Sequence, residues 1–337
     1  AEMSMSVRCD GCGLEYAGGR GLRGVFAQPR RVADPRFLRM LWEVRRFRRR
    51  ARAFLRATDD ETLTTYGEFL DRERLSGYFI AHYAVPLVSC VWSAGGAAAA
   101  LYPARYLFRF LDHHGMLRAG GSPRWYTVAG GSRAYVERLA RHLTDVRASH
   151  AVTSISRRGD GVQIRDVTGE ITRVDRVVIA THADQALGLL ADPSDAEVTT
   201  LKRFGYSTNV TILHTDHSVL PQARHARASW NYRMTSCGRP GRPAVVSYWM
   251  NRLQGHISPE EFLVTLNDRE RVEPGSVAAV MNFEHPIYTP EAVRAQRRLG
   301  DLATDRTVYA GAYHGWGFHE DGCRSGVEAA RHFGETW

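Results

Sequence analysis

Cys9-Asp10-Gly11-Cys12 is the first spacing in the chain that carries chemistry. A C-x-x-C pair can supply half of a tetrahedral metal site or a redox couple. Structural zinc commonly takes two such pairs, and no second pair follows, so the favoured expectation is a tight turn with two free thiols and no metal, with zinc or redox chemistry as the lesser alternative. Gly19-Arg20-Gly21-Leu22-Arg23-Gly24 matches the G-x-G-x-x-G spelling of a dinucleotide loop. That loop works only between a buried strand and a helix whose N-terminus meets a pyrophosphate. Here Leu14–Ala17 precedes it and the non-helical stretch Val25–Pro29 follows, so it reads as a glycine-rich hairpin. The C-terminal part is richer. A buried strand, Thr307–Ala310, runs into Gly311-Ala312, then Gly315-Trp316-Gly317-Phe318-His319-Glu320-Asp321-Gly322, then a helix. A strand, a glycine turn and a helix with a small first turn let a ligand reach backbone N–H groups at a helix N-terminus, which favours negative charge. The N1–C2=O edge of a flavin, which gains charge on reduction, suits such a site. His314 and His319 flank it as candidate proton carriers.

These residues need elements to hold them. Apolar residues at three- and four-residue spacing predict a helix over 35–57, with Met40, Val44, Phe47, Ala51 and Phe54 on one face. The same helix carries Arg45, Arg46, Arg48, Arg49, Arg50 and Arg52. They are either a solvated face or the basic side of a helix resting on an anionic membrane, where each arginine adds about 1 kcal/mol. No nucleic-acid-binding motif accompanies them, so no nucleic-acid partner is expected. A second helical pattern covers 59–75, and 78–118 is apolar and aromatic. Tyr83, Trp92, Tyr102 and Phe108 there are either core or the lining of a hydrophobic substrate cavity. Pro123–Thr127 is expected as a strand and Ser132–Leu143 as a helix. From residue 150 the pattern turns to strands at 151–156, 162–166 and 170–174. The continuous apolar run Val177–Ala180 suits a parallel strand buried on both faces. Residues 206–215 and 244–250 read as strands of a second sheet, and a helix from about Gly322 to Phe333 closes the chain.

The chain has 337 residues, of which 44% are hydrophobic and 24% charged, with a net charge of +9. That excludes disordered and collagen-like chains and leaves room for about two domains. Lys202 is the single lysine, so arginine carries nearly all the positive charge. Positive charge favours anionic partners such as lipid headgroups. Five scattered cysteines, with no signal peptide and no apolar run of about 18 residues, predict reduced thiols and a cytoplasmic, at most peripherally membrane-bound protein.

Three segments in order resemble FAD-dependent oxidoreductases of the flavin-containing amine oxidase and phytoene desaturase superfamily, in particular its bacterial "predicted NAD/FAD-binding protein" branch. They are Trp125–Ser132 with its glycine pair, Val152–Ile155 followed by Asp175–Thr181, and the C-terminal AG…GFHEDG…SG block. The resemblance implies an α/β fold in which a Rossmann-like FAD domain interleaves with an amine-oxidase-like substrate domain of mixed sheet plus helices. The implied segments are 1–122 (substrate or cap region), 123–192 (FAD), 193–290 (substrate sheet) and 291–337 (FAD). It implies FAD contacts at Val152, Ala180, Thr181, Gly311, Trp316, Gly317, Phe318, Glu320, Asp321 and Gly322. The strand–GxGxxG–helix unit that the family places at its extreme N-terminus is absent, and by the resemblance Ala1 falls downstream of it. Amine oxidases of the family carry a lysine near flavin N5. The aligned position is Asn209, and no register on that strand supplies a lysine. Desaturation or another hydride transfer from carbon is therefore favoured over amine oxidation, with a hydrophobic or lipid-like substrate. The alternative is a non-catalytic fragment or subunit that binds a partner chain or membrane and does not hold FAD alone.

Overall fold

The computed structural model describes residues 1–57, 59, 62–118, 124–238, 243–255 and 258–335. The strands among them are β1 (Met5–Cys9), β2 (Leu14–Gly18), β3 (Val152–Arg158), β4 (Gly161–Asp166), β5 (Ile171–Val174), β6 (Val177–Ile179), β7 (Gly205–His214), β8 (Trp230–Met234), β9 (Val245–Trp249), β10 (Leu263–Leu266), β11 (Val277–Ile287) and β12 (Thr307–Tyr309). The chain forms two compact units, 1–134 with 207–285, and 135–206 with 286–337.

Unit 1 is built on a seven-stranded mixed sheet in the order β11-β7-β10-β9-β8-β1-β2. β1 pairs antiparallel with β2 through a tight turn and parallel with β8, with Cys9 opposite Met234. Helices supply the rest of the unit. Helix α1 (Pro35–Ala57) buries Phe37, Met40, Glu43, Phe47, Ala51 and Phe54, the predicted stripe except that Glu43 takes the buried place expected for Val44. Glu43 tolerates burial because it accepts hydrogen bonds from the Ser76 amide and hydroxyl. Helix α2 (Tyr66–Arg72) starts with a capping box, in which Thr65 and Glu68 satisfy each other's backbone amides. Helix α3 (Ala104–His113) completes an aromatic core: Phe47 packs edge-on against Tyr66, Phe69, Tyr83 and Phe108. Each such pair adds about 1 kcal/mol beyond its buried area. Trp92, Tyr102 and Phe108 are thus core, at 4% exposure or less, which decides against the cavity-lining alternative for them. On the outer face of α1, Arg45, Arg49 and Arg52 are exposed, while Arg46 donates to the Glu73 carbonyl and Arg50 pairs with its carboxylate at 3.1 Å. No helix among the described residues is long and apolar enough to cross a membrane.

Unit 2 has an antiparallel β3-β4-β5 sheet and the parallel pair β6-β12. Its core gathers Ile155, Val162, Ile179, Leu201, Phe204, Tyr309 and Tyr313. Helix α4 (Asp195–Leu201) opens with a Ser194–Glu197 capping box, and helix α5 (His319–His332) ends the unit.

Three local expectations need correction. The G-x-G-x-x-G segment is not a hairpin: it follows β2 and makes one helical turn, Gly21–Val25. Gly24 sits there because a Cβ would meet the Ala17 carbonyl oxygen at 2.9 Å. Residues 124–128 form no strand, and Pro123 lies outside the described residues. Val178 in β6 is 42% exposed, so this strand is covered on one face only.

Candidate functional site

Two chain segments run side by side in unit 2 where the parallel strands end. β6 and β12 pair Val177–Ile179 with Thr307–Tyr309, and the Ala310 amide extends the ladder to the Ile179 carbonyl at 3.0 Å. Beyond them lie Ala180-Thr181 and Gly311-Ala312. Ala180 and Thr181 are exposed. Gly311 has φ +152°, and a Cβ on it would stand 2.6 Å from the Tyr313 ring and 3.5 Å from the Thr181 carbonyl oxygen. Ser325 on α5 fixes this turn by accepting the Gly311 amide at 2.9 Å. Open α/β sheets bind ligands outside the carboxyl ends of parallel strands, where small residues let a ligand approach the backbone. Ala180, Thr181, Gly311 and Ala312 are the small residues at these strand ends.

The glycine bend before α5 is used differently from the expectation. α5 begins at His319, three residues before the predicted start, so Glu320 and Asp321 occupy its first turn. Asp321 is buried and its carboxylate accepts the amides of Trp316 at 3.0 Å and Phe318 at 3.1 Å, with Arg324 at 2.8 Å. A Cβ on Gly315 would lie 2.0 Å from Asp321 Oδ1. The inside of the bend is therefore tied to its own aspartate. The Gly322 amide is spent on the Phe318 carbonyl within the helix. Asp321 and Gly322 shape the bend rather than present donors from it. Trp316 and Gly317 are half-buried, with Gly317 at φ +93°. Phe318 and Glu320 reach the surface. Val152 heads the β3-β4-β5 sheet at 37% exposure.

The candidate proton carriers separate. His319 is exposed and its Nδ1 meets the Tyr135 hydroxyl at 2.9 Å. His314 is half-buried, and its Nε2 and the neighbouring Tyr313 hydroxyl are buried without a hydrogen-bond partner among the described residues. Burial pulls the His314 pKa from 6.5 down to about 4. It is neutral at pH 7 and able to accept a proton. The unfolded chain protonates first, so this contribution to stability is complete above pH 6.5 and is lost as pH falls towards 4. In His314→Gln, the loss of unfolding free energy between pH 7 and pH 5, read from urea melts, should shrink by about 1 kcal/mol. An unchanged loss would contradict the assignment.

Asn209 lies in unit 1 and is buried on β7. Its amide nitrogen donates to the Ser207 carbonyl at 2.9 Å and contacts His285 Nδ1 at 3.1 Å, and its oxygen accepts from Asn267 at 2.8 Å. Both ends of its amide are thus engaged by neighbouring strands and loops. Asn267, held at φ +60°, lines an apolar cavity of about 520 Å³ with Tyr66, Leu70, Ile80, Tyr232 and Val245. Of the four aromatics weighed as cavity lining, Tyr83 lines a second cavity of about 530 Å³ with Leu87, Val91 and Trp230. Lys202 is exposed at the end of α4.

Sequence reasoning missed His285, Asn267 and the neighbours of the C-x-x-C pair. Asn267 carried a readable signal, since asparagine is the commonest non-glycine residue at positive φ. His285 had none, because only the sheet order brings β11 beside β7.

The family model for flavin containing amine oxidoreductase matches residues 8–332. A search of curated proteins returned no significant match. Among solved structures, a fatty acid isomerase from P. acnes that produces CLA superposes with a TM-score of 0.62 at 16% identity, covering 99% of this chain and 80% of its own. Cyclohexylamine oxidase from Brevibacterium oxydans gives 0.63 at 13% identity, covering 97% and 80%. A putrescine oxidase variant gives 0.63 at 11%, covering 100% and 82%. At these identities the superpositions speak for the fold, whereas the family match spans nearly the whole chain. The chain belongs to the flavin-containing amine oxidoreductase family and is an FAD-dependent oxidoreductase.

Proposed function

We propose that the enzyme oxidises an apolar, lipid-like substrate at carbon, with FAD supplying the hydride acceptor when bound. The observation that carries this reading is the 520 Å³ cavity of unit 1, whose walls are mainly Tyr66, Leu70, Ile80, Val85, Tyr232 and Val245. Its apolar walls suit an alkyl or isoprenoid chain by shape and desolvation, while Asp71, Arg233, Thr235 and Ser236 also line it, with Arg233 held by Asp268 at 2.6 Å. Asn267 and Asp268 supply the polar groups that would fix orientation. Asn209 supports that wall from behind through Asn267. The single lysine, Lys202, is exposed in unit 2, so β7 offers none for amine chemistry. The neighbouring folds include enzymes named for a fatty acid and for amines, so both substrate classes enter the test.

In unit 2, Ala180, Thr181, Gly311 and Ala312 would hold FAD by close backbone approach. His314, neutral and unpartnered, is the group able to take up a proton there. Anaerobic bleaching of the FAD-loaded enzyme by panels of fatty acids, isoprenoids and primary amines tests the reading. Apolar chains should bleach the flavin at least tenfold faster than amines of equal carbon number. Bleaching by amines alone would overturn the lipid assignment.

A further inference from the structure

Cys9 and Cys12 are joined by two residues from distant parts of unit 1. Cys9 Sγ lies 3.4 Å from Cys237 Sγ. His82 Nε2 lies 3.5 Å from Cys12 Sγ and 3.6 Å from Cys237 Sγ. All four atoms fall within 4.8 Å of one another. From this geometry we propose a structural zinc site with ligands Cys9, Cys12, His82 and Cys237. A tetrahedral ion with Zn–S of about 2.3 Å and Zn–N of about 2.0 Å spaces its ligands about 3.5–3.8 Å apart. The observed spacings fall close to that range.

The backbone around the cluster is arranged to bring these atoms together. β1 and β8 run parallel and end level, at Cys9 and Met234, and the Asp10 amide continues the ladder to the Met234 carbonyl. Both following turns deliver cysteines to one point. Gly11 is required there, because a Cβ would stand 2.9 Å from the Cys237 amide nitrogen. His82 sits in a π turn, Ile80–Ala84, a distortion often found where a helix must aim a functional side chain. Its Nδ1 donates to the Tyr78 carbonyl at 3.0 Å and its ring stacks on Tyr78, which leaves the Nε2 lone pair directed at the sulfurs. Metal-bound histidines are oriented in this way by a second hydrogen bond. His82 is 1% exposed, and among the described residues its ring nitrogens face the Tyr78 carbonyl and the sulfurs of Cys12 and Cys237.

Three sulfurs and one imidazole select a soft, tetrahedral ion, and zinc above the harder divalent cations. Four protein ligands leave no open position, so the ion serves structure rather than catalysis. It would tie together segments near residues 9, 82 and 237. Residues next to two of the ligands, Ala81, Ser236 and Gly238, line the 520 Å³ cavity. Zinc would thus anchor one wall of that cavity.

The test is metal analysis of the full chain purified from zinc-supplemented cells, followed by cobalt substitution. The expected result is one zinc per chain, released by chelator, and a cobalt form with tetrahedral ligand-field bands and thiolate charge transfer. Cys12→Ser and Cys237→Ser should each weaken zinc binding beyond the ~10–100-fold that loss of an outer-shell partner costs. Cys323→Ser, at an exposed cysteine outside the cluster, should not. The cobalt spectrum needs no variant, so misfolding of a serine mutant leaves the question decidable. Substoichiometric metal with no thiolate–cobalt bands would overturn the proposal. So would a Cys9–Cys237 disulfide in the fresh protein, or full zinc retention in both serine variants.

Discussion

Replacing Arg157 with alanine is expected to cost the enzyme about 3–5 kcal/mol of folding free energy. Glu197 is 2% exposed in unit 2, and its carboxylate is held by both terminal nitrogens of Arg157, by the Tyr309 hydroxyl at 2.6 Å and by the Ser194 amide at 2.8 Å. Removing the guanidinium leaves an uncompensated charge in the interior, the costly case for buried ion pairs. Burial alone would raise the Glu197 pKa, but Arg157 and Tyr309 outweigh it and bring the group down to about 2. Because the folded pKa is depressed, this stability is present above pH 4.5 and is lost as pH falls towards 2. Tyr309 ends β12 two residues before Gly311, so the same network braces the crevice. Urea melts at pH 7 measure the effect. A loss below 1 kcal/mol would show that the pair is not the internal tie described. The double variant Arg157→Met with Glu197→Met should recover most of the loss, since an apolar pair of similar size needs no desolvation.

Ala180→Phe should leave the fold intact and weaken FAD binding. Ala180 is exposed, so a larger side chain enters solvent and alters stability by no more than about 0.5 kcal/mol. It would, however, fill the strand-end crevice beside Gly311. The expected result is at least a tenfold weaker FAD affinity with an unchanged melting temperature of the apoprotein. Gly311→Ala is the poorer probe, because its φ of +152° and the Tyr313 ring make it a folding variant as well. Equal FAD affinity in Ala180→Phe and the parent would show that the crevice is not the cofactor's seat.

Local patterns in the sequence were legible where one element decides the outcome. The stripe of α1 follows from three- and four-residue spacing, and β3, β4 and β5 from alternation. The Gly311 turn and its small neighbours were also readable, because a chain can approach a ligand closely only through such residues. Less legible were contacts that only the folded chain makes. Asp321 looked like a ligand group, but its carboxylate is claimed by amides three and five residues back. Asn209, the position aligned with the family's lysine, is set by the sheet order against His285 and Asn267, neighbours that its own strand does not announce. The C-x-x-C pair looked incomplete because its two missing partners lie 70 and 225 or more residues away. Val178 was placed in a doubly covered strand because a short apolar run says nothing of how many faces are covered.

The most direct measurement is a titration of the full chain with FAD, followed by flavin fluorescence quenching, run beside Ala180→Phe. Saturable one-to-one binding by the parent and at least tenfold weaker binding by the variant are expected. A folded parent that neither quenches the flavin fluorescence nor retains flavin after removal of excess FAD would contradict the assignment.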